Sequence, residues 1–114
     1  YYKYFLKDKD IILNKEFKKT KSSFWLINIF VKNKKTRDGL ARFLKKNKVE
    51  TRNTFNLVHT MPMYYQKNKN SFFPSAKKLS ETGLSLPSGP NLRKIDIEKI
   101  SNLIKIYLYK INTR

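Results

Sequence analysis

Few side chains in this sequence are equipped for catalysis, and their spacing narrows the chemistry further. His59 is the only histidine, there is no cysteine, and the three glycines form no phosphate-cradling loop. One histidine leaves a Ser-His-Asp arrangement open, but no Gly-x-Ser-x-Gly elbow presents a nucleophile. The eight carboxylates include the pairs Asp8/Asp10 and Asp96/Glu98. That i, i+2 spacing separates two carboxylates on a helix, and on a strand it aligns them without a third ligand. No metal site is expected, and no residue is assigned a catalytic role. By residue type alone, His59 reads as a loop histidine, and Arg52 as a solvated surface charge or, because a planar guanidinium pairs well with phosphate, an anion contact.

Charge is the loudest feature. The chain carries a net charge of +18, from 26 lysines and arginines against eight acids. Such a balance raises nucleic-acid or anionic-membrane binding as a reading. Three features weigh against it. Only five of the 26 cations are arginine, the residue suited to bidentate phosphate and base contacts. The lysines are spread along the chain instead of gathered in one segment, and no RNA-binding aromatic signature or zinc-finger spacing occurs. Lys, Asn, Ile, Phe and Tyr abound, all encoded by A/T-rich codons, so the charge reads as codon bias. No nucleic-acid or membrane partner is expected, and a stand-alone basic nucleic-acid-binding module is the rival reading.

The 114 residues suffice for one domain with a modest core, and the hydrophobic fraction of 39% argues for a folded chain. No apolar run approaches membrane-spanning length, and the opening Tyr1-Tyr2-Lys3 shows no signal-peptide h-region. A first residue other than Met reads as a fragment or a trimmed product. Lack of cysteine fits a cytoplasmic protein.

The elements that must position Arg52 and His59 follow from apolar periodicity. Tyr1 to Leu6 has partial helical spacing, and Ile11 to Leu13 is a short strand candidate. Ser23 to Val31 is the best strand; Trp25, Ile27, Ile29 and Val31 share one face, Phe24, Leu26, Asn28 and Phe30 the other. With both faces largely apolar, this strand is expected to be central and Trp25 to lie in the core. Thr36 is positioned to cap a helix with Leu40, Phe43 and Leu44 inward, ending near Asn47-Lys48. Val49 to Phe55 reads as a second strand and Asn56 to Phe72 as an extended loop carrying His59. Pro74 suits the first turn of a short helix with Ala76 and Leu79 inward and Gly83 as its stop. Gly83 to Pro87 reads as a strand, followed by a Ser-Gly-Pro turn. Ile97, Ile100, Leu103, Ile104, Tyr107, Leu108 and Ile111 mark the stripe of a final helix. The pattern predicts a small α/β fold of α+β two-layer type, a short sheet covered by helices.

The stretch Val49-Glu50-Thr51-Arg52-Asn53-Thr54-Phe55, followed by His59-Thr60-Met61-Pro62-Met63-Tyr64, resembles the pattern I-E-T-R-x-x-F…H-x-x-P-x-Y. Phe73-Pro74-Ser75-Ala76 and Gly83-Leu84-Ser85-Leu86-Pro87-Ser88-Gly89-Pro90 resemble F-P-x-A…G-L-S-L-P-S-G-P. Both are patterns of the DegT/DnrJ family of pyridoxal-phosphate-dependent sugar aminotransferases, most similar to its perosamine synthase-like members. Ser23 to Leu26, Asp38-Gly39-Leu40 and Asp96-Ile97 resemble further family elements in the same order, so the resemblance covers nearly the whole chain. It implies that 1–22 is the end of an interdomain helix and a connector, and 23–114 the C-terminal small domain of a fold-type-I aminotransferase.

The large domain would hold pyridoxal phosphate, its Schiff-base lysine, its pyridinium-binding aspartate and its phosphate-holding residues, and none of them matches a residue here. The resemblance implies an intact enzyme, a homodimer, that moves an amino group, usually from glutamate, to a nucleotide-linked keto sugar for surface polysaccharide. It brings His59 near the substrate; without it, His59 is a loop histidine. Arg52 reads as an anion contact or as a solvated surface charge. Two positions depart from the family. Lys48 stands where the family has Gly after the first helix, at a cost of about 1 kcal/mol if it is left-handed. Arg93, followed by Lys94, replaces the Thr that caps the last helix, both unfavourable at the positive end of the dipole; Asp96 is the alternative cap.

Overall fold

The structure, a computed structural model, describes residues 1–7, 10–68 and 72–113. Asp8 of the Asp8/Asp10 pair lies outside them. Four short antiparallel strands form one sheet: β1 (Ile12–Leu13), β2 (Ile27–Phe30), β3 (Arg52–Asn53) and β4 (Gly83–Leu86), in the order β1-β2-β4-β3. Among the described residues five α-helices are interspersed: α1 (Tyr2–Phe5), α2 (Lys34–Lys46), α3 (Pro62–Asn68), α4 (Pro74–Thr82) and α5 (Lys94–Asn112). The expected two-layer α+β architecture is what forms.

Pleat alternation divides the sheet. Ile29, Leu84 and Leu86 turn to one face and are buried with Leu40 and Leu44 of α2 and Ile100, Ile104 and Leu108 of α5. Tyr2, Leu6 and Ile11 join the same cluster. The Tyr2 phenol donates to the Pro87 carbonyl at 3.0 Å, tying α1 to the end of β4. Asn28, Phe30, Gly83 and Ser85 alternate with the core residues and so face the opposite side of the sheet.

Central placement of β2 is as expected, but the strand is shorter and Trp25 is not in the core. Trp25 is 74% exposed. The reason is local: Phe24 takes a left-handed φ of 53°, and the chain bends through Trp25 and Leu26 before the pleat begins at Ile27. Trp25 is held by its backbone, where its carbonyl accepts from Ser88 Oγ at 2.9 Å. Leu79 and Ala76, expected inward, are exposed, Leu79 to 51%. α4 packs on α2 through polar groups: the buried Arg37 reaches the Ser80 carbonyl at 3.4 Å. Of Val49 to Phe55, only Arg52 and Asn53 pair as a strand. The segment expected as an extended loop instead contains a 3-10 turn (Val58–Thr60) and α3, which Pro62 opens.

The helix ends carry the remaining corrections. Asn33, three residues before Thr36, caps α2; its side chain accepts from the Thr36 backbone N–H at 2.9 Å. Lys48 does occupy the left-handed position, φ 61°, where glycine would be unstrained. Lys48 N–H donates to Lys45 O at 3.0 Å and Val49 N–H to Leu44 O at 2.9 Å, a full Schellman closure. Leu44 belongs to the core cluster and the partly buried Val49 packs against it, so apolar contact offsets the strain. At α5, Arg93 is itself the cap residue and Asp96 the third helical residue. Asp96 accepts from the Arg93 backbone N–H at 3.2 Å and from its guanidinium at 2.9 and 3.0 Å. The Arg93 hydrogen bonds hold the Asp96 carboxyl below its ordinary range.

Candidate functional site

The sheet face turned away from α2 and α5 is where the two proposed ligand-binding residues lie. Register fixes the geometry. Asn28 stands opposite Ser85, and Ser85 opposite Arg52, so three polar side chains cross β2, β4 and β3 in one row. Ser85 Oγ donates to Asn28 Oδ1 at 2.6 Å, which fixes the middle of that row. Arg52 ends it with a side chain 84% exposed and 3.8 Å from Glu50, equally exposed. An ion pair that open is worth little and leaves the guanidinium available to an anion.

His59 sits one recess away. A groove of about 610 Å³ runs beside the row, walled by Asn28, Phe30, Thr54, His59, Tyr64 and Phe73 among others. His59 occupies the 3-10 turn and is half-buried, its ring 4.7 Å from that of Phe73 at an interplanar angle of 45°. Arg52 lines a separate, smaller recess of about 280 Å³ with Ser85 and Ser88. The structure therefore brings Arg52 and His59 to one face but not into contact; Asn28 and Ser85 bridge the space between their recesses. Sequence reasoning missed both bridging residues. Asn28 left a signal, a lone amide in an otherwise apolar strand; Ser85 and Phe73 left none apart from their motifs.

Backbone close to the groove is tightly arranged. Thr54 Oγ1 donates to Leu79 O at 3.1 Å, fastening the end of β3 to α4. Gly83, at the helix–strand junction, has a φ of −87°, so left-handed freedom is not its role. A Cβ there would lie 2.7 Å from the Leu79 carbonyl oxygen and against the Thr54 side chain. Only glycine lets the two elements approach so closely.

Comparison with known proteins places this geometry. Residues 1–105 match the model of the DegT/DnrJ/EryC1/StrS aminotransferase family. The chain belongs to that family. A GDP-perosamine synthase of Vibrio cholerae is 37% identical over 97 residues, which are 83% of this chain and 26% of the relative. The chain thus spans about a quarter of the length of that relative. Among solved structures, the aminotransferase TlmJ from Streptoalloteichus hindustanus superposes with a TM-score of 0.85 at 20% identity, covering 97% of this chain and 30% of its own. A putative sugar aminotransferase from Streptococcus pneumoniae, in its PMP form, gives 0.83 at 18% identity, covering 96% and 29%. At these identities the structural likeness speaks for the fold.

Pyridoxal phosphate is the family's cofactor, and the residues present here do not fit it. Every lysine whose side chain is described is exposed, and none stands in a cleft dry enough to favour an imine-forming neutral amine. Described aspartates that could pair with a pyridinium nitrogen are engaged elsewhere. Asp38 pairs with Arg37, Asp96 with Arg93, and Asp10 accepts from Asn112. Among the described residues no cluster of three or more His, Asp or Glu comes together, and no described helix is long and apolar enough to cross a membrane.

Proposed function

We propose that residues 23–114 are the small C-terminal domain of a sugar-nucleotide aminotransferase and that 1–22 are the end of its interdomain helix and a connector. The intact enzyme, a cytoplasmic homodimer, transfers an amino group from glutamate to a nucleotide-linked keto sugar destined for surface polysaccharide. Pyridoxal phosphate, held by a large domain outside this chain, supplies the amino-transfer chemistry. This chain supplies binding and orientation. Arg52 contacts a phosphate of the nucleotide, and His59 hydrogen-bonds the substrate from the neighbouring groove. The observation that supports this reading best is the family match over 1–105, joined with a relative named for GDP-perosamine synthesis. The polar row from Arg52 to Asn28 on the open sheet face gives such a ligand a place to lie.

The test is steady-state transamination of a GDP-linked keto sugar with glutamate by the full-length enzyme. Arg52→Ala removes a charge-assisted contact of about 1.5–3 kcal/mol, so KM for the sugar nucleotide is expected to rise roughly 10- to 100-fold. His59→Ala is expected to act in the same direction. Unchanged KM in both variants refutes the site.

A further inference from the structure

We infer that Phe73 is the positioning residue for His59, setting the plane of the imidazole while leaving both ring nitrogens to a ligand. This rests on the reading of His59 as a substrate contact. Among the described residues, the one partner the structure gives the imidazole is the Phe73 ring, at 4.7 Å and 45°. No described group hydrogen-bonds either nitrogen. His59 itself rides on a three-residue 3-10 turn, an element too short to fix a side chain by its own packing.

The backbone of Phe73, by contrast, is anchored, while its ring, 47% exposed, lies on the wall of the groove. Phe73 is the cap residue of α4, with its carbonyl accepting from Lys77 N–H at 3.0 Å and Pro74 locking the first helical position. The far end of that helix is pinned twice, by Arg37 Nη1 on the Ser80 carbonyl and by Thr54 Oγ1 on the Leu79 carbonyl. Arg37 is almost wholly buried, with its Nε 2.6 Å from Asp38 Oδ1, so the pin belongs to the interior and not to a mobile surface. Rigidity therefore passes from the α2–α4 contact through α4 to Phe73, and from there by ring contact to His59. A ligand-facing histidine ordered this way loses little freedom when substrate arrives.

His59 is the chain's only histidine, so its Cε1–H resonance reports on this contact without ambiguity. In the 114-residue chain, wild type is expected to show cross-relaxation between His59 and Phe73 ring protons and a ring-current displacement of the His59 signal. Phe73→Leu should return that signal to the position of a histidine in an unstructured peptide without changing the melting temperature; Phe73→Tyr should keep it displaced. If Phe73→Leu also disturbs the fold, Arg37→Lys gives a second reading: it alters the distant pin and should weaken the His59–Phe73 cross-relaxation. In the full-length enzyme, Phe73→Leu should raise KM for the sugar nucleotide about 2- to 10-fold with kcat kept, and Phe73→Tyr should restore it. A His59 signal unmoved by Phe73→Leu overturns the proposal. So does a raised KM in His59→Ala with none in Phe73→Leu. If His59→Ala leaves KM unchanged while the NMR contact is present, the substrate reading itself is what fails.

Discussion

Replacing Ile104 with alanine empties the point where α5 meets α2 and the sheet. Ile104 is 0% exposed and shares its cluster with Leu40, Leu44, Ile29 and Leu84, each at most 1% exposed. The change removes three carbons, and at about 0.8 kcal/mol per buried methylene the transfer loss is about 2.4 kcal/mol. Walls supplied by two helices and a sheet cannot close over the space, so a cavity contribution adds to this. The expected total is about 3–4 kcal/mol, within the range for such core truncations. Leu103, one position earlier on the same stripe, is only partly buried against the cluster, so Leu103→Ala should cost about 1 kcal/mol. A domain of this size has roughly 5–15 kcal/mol in total, which makes the first loss severe and the second tolerable. Urea unfolding followed by far-UV circular dichroism measures both, since α2 and α5 dominate the helical signal. Ile104→Ala should lower the midpoint with an unchanged slope. A midpoint shift for Ile104→Ala no larger than that for Leu103→Ala refutes the placement of α5.

Other outcomes follow from the same geometry. Gly83→Ala should destabilise the chain by about 1–3 kcal/mol in the same assay, because the new Cβ meets the Thr54 side chain and also the Leu79 carbonyl, which is backbone and cannot swing away. The lowered Asp96 carboxyl contributes stability that is present above the ordinary carboxylate pKa and is lost as pH falls through its depressed value. Asp96→Asn should therefore melt lower than wild type at neutral pH, and a thermal series in increasing acid should see that difference close. Arg52→Ala and His59→Ala should each change stability by no more than about 0.5 kcal/mol, since neither lies in the core. Duplex DNA should bind weakly and be released at moderate salt, checked by fluorescence anisotropy across a salt series; counterion release is the only drive a dispersed lysine surface offers.

Regular, locally encoded elements were legible in the sequence. The stripe from Ile97 to Leu108 determined α5, the apolar run around Ile29 determined a central strand, and Pro74 and Gly83 bracketed α4, because each signal depends only on neighbours in the chain. Motif spacing supplied Arg52 and His59 as candidates, to be judged by the kinetic test. Tertiary structure decided what depends on a partner distant in sequence. Trp25 looks like core by composition, but a left-handed Phe24 turns it out of the pleat before pairing with β4 begins. Leu79 has the spacing of an inward residue, yet the partner of α4 is the buried Arg37, whose carbonyl contact orients the helix by a polar bond and leaves Leu79 on the groove. Arg52 and Asn28 lie 24 positions apart with only Ser85 to align them, and that alignment exists only in the strand register. Periodicity reports which side of an element is apolar; it carries no information about what that side will meet.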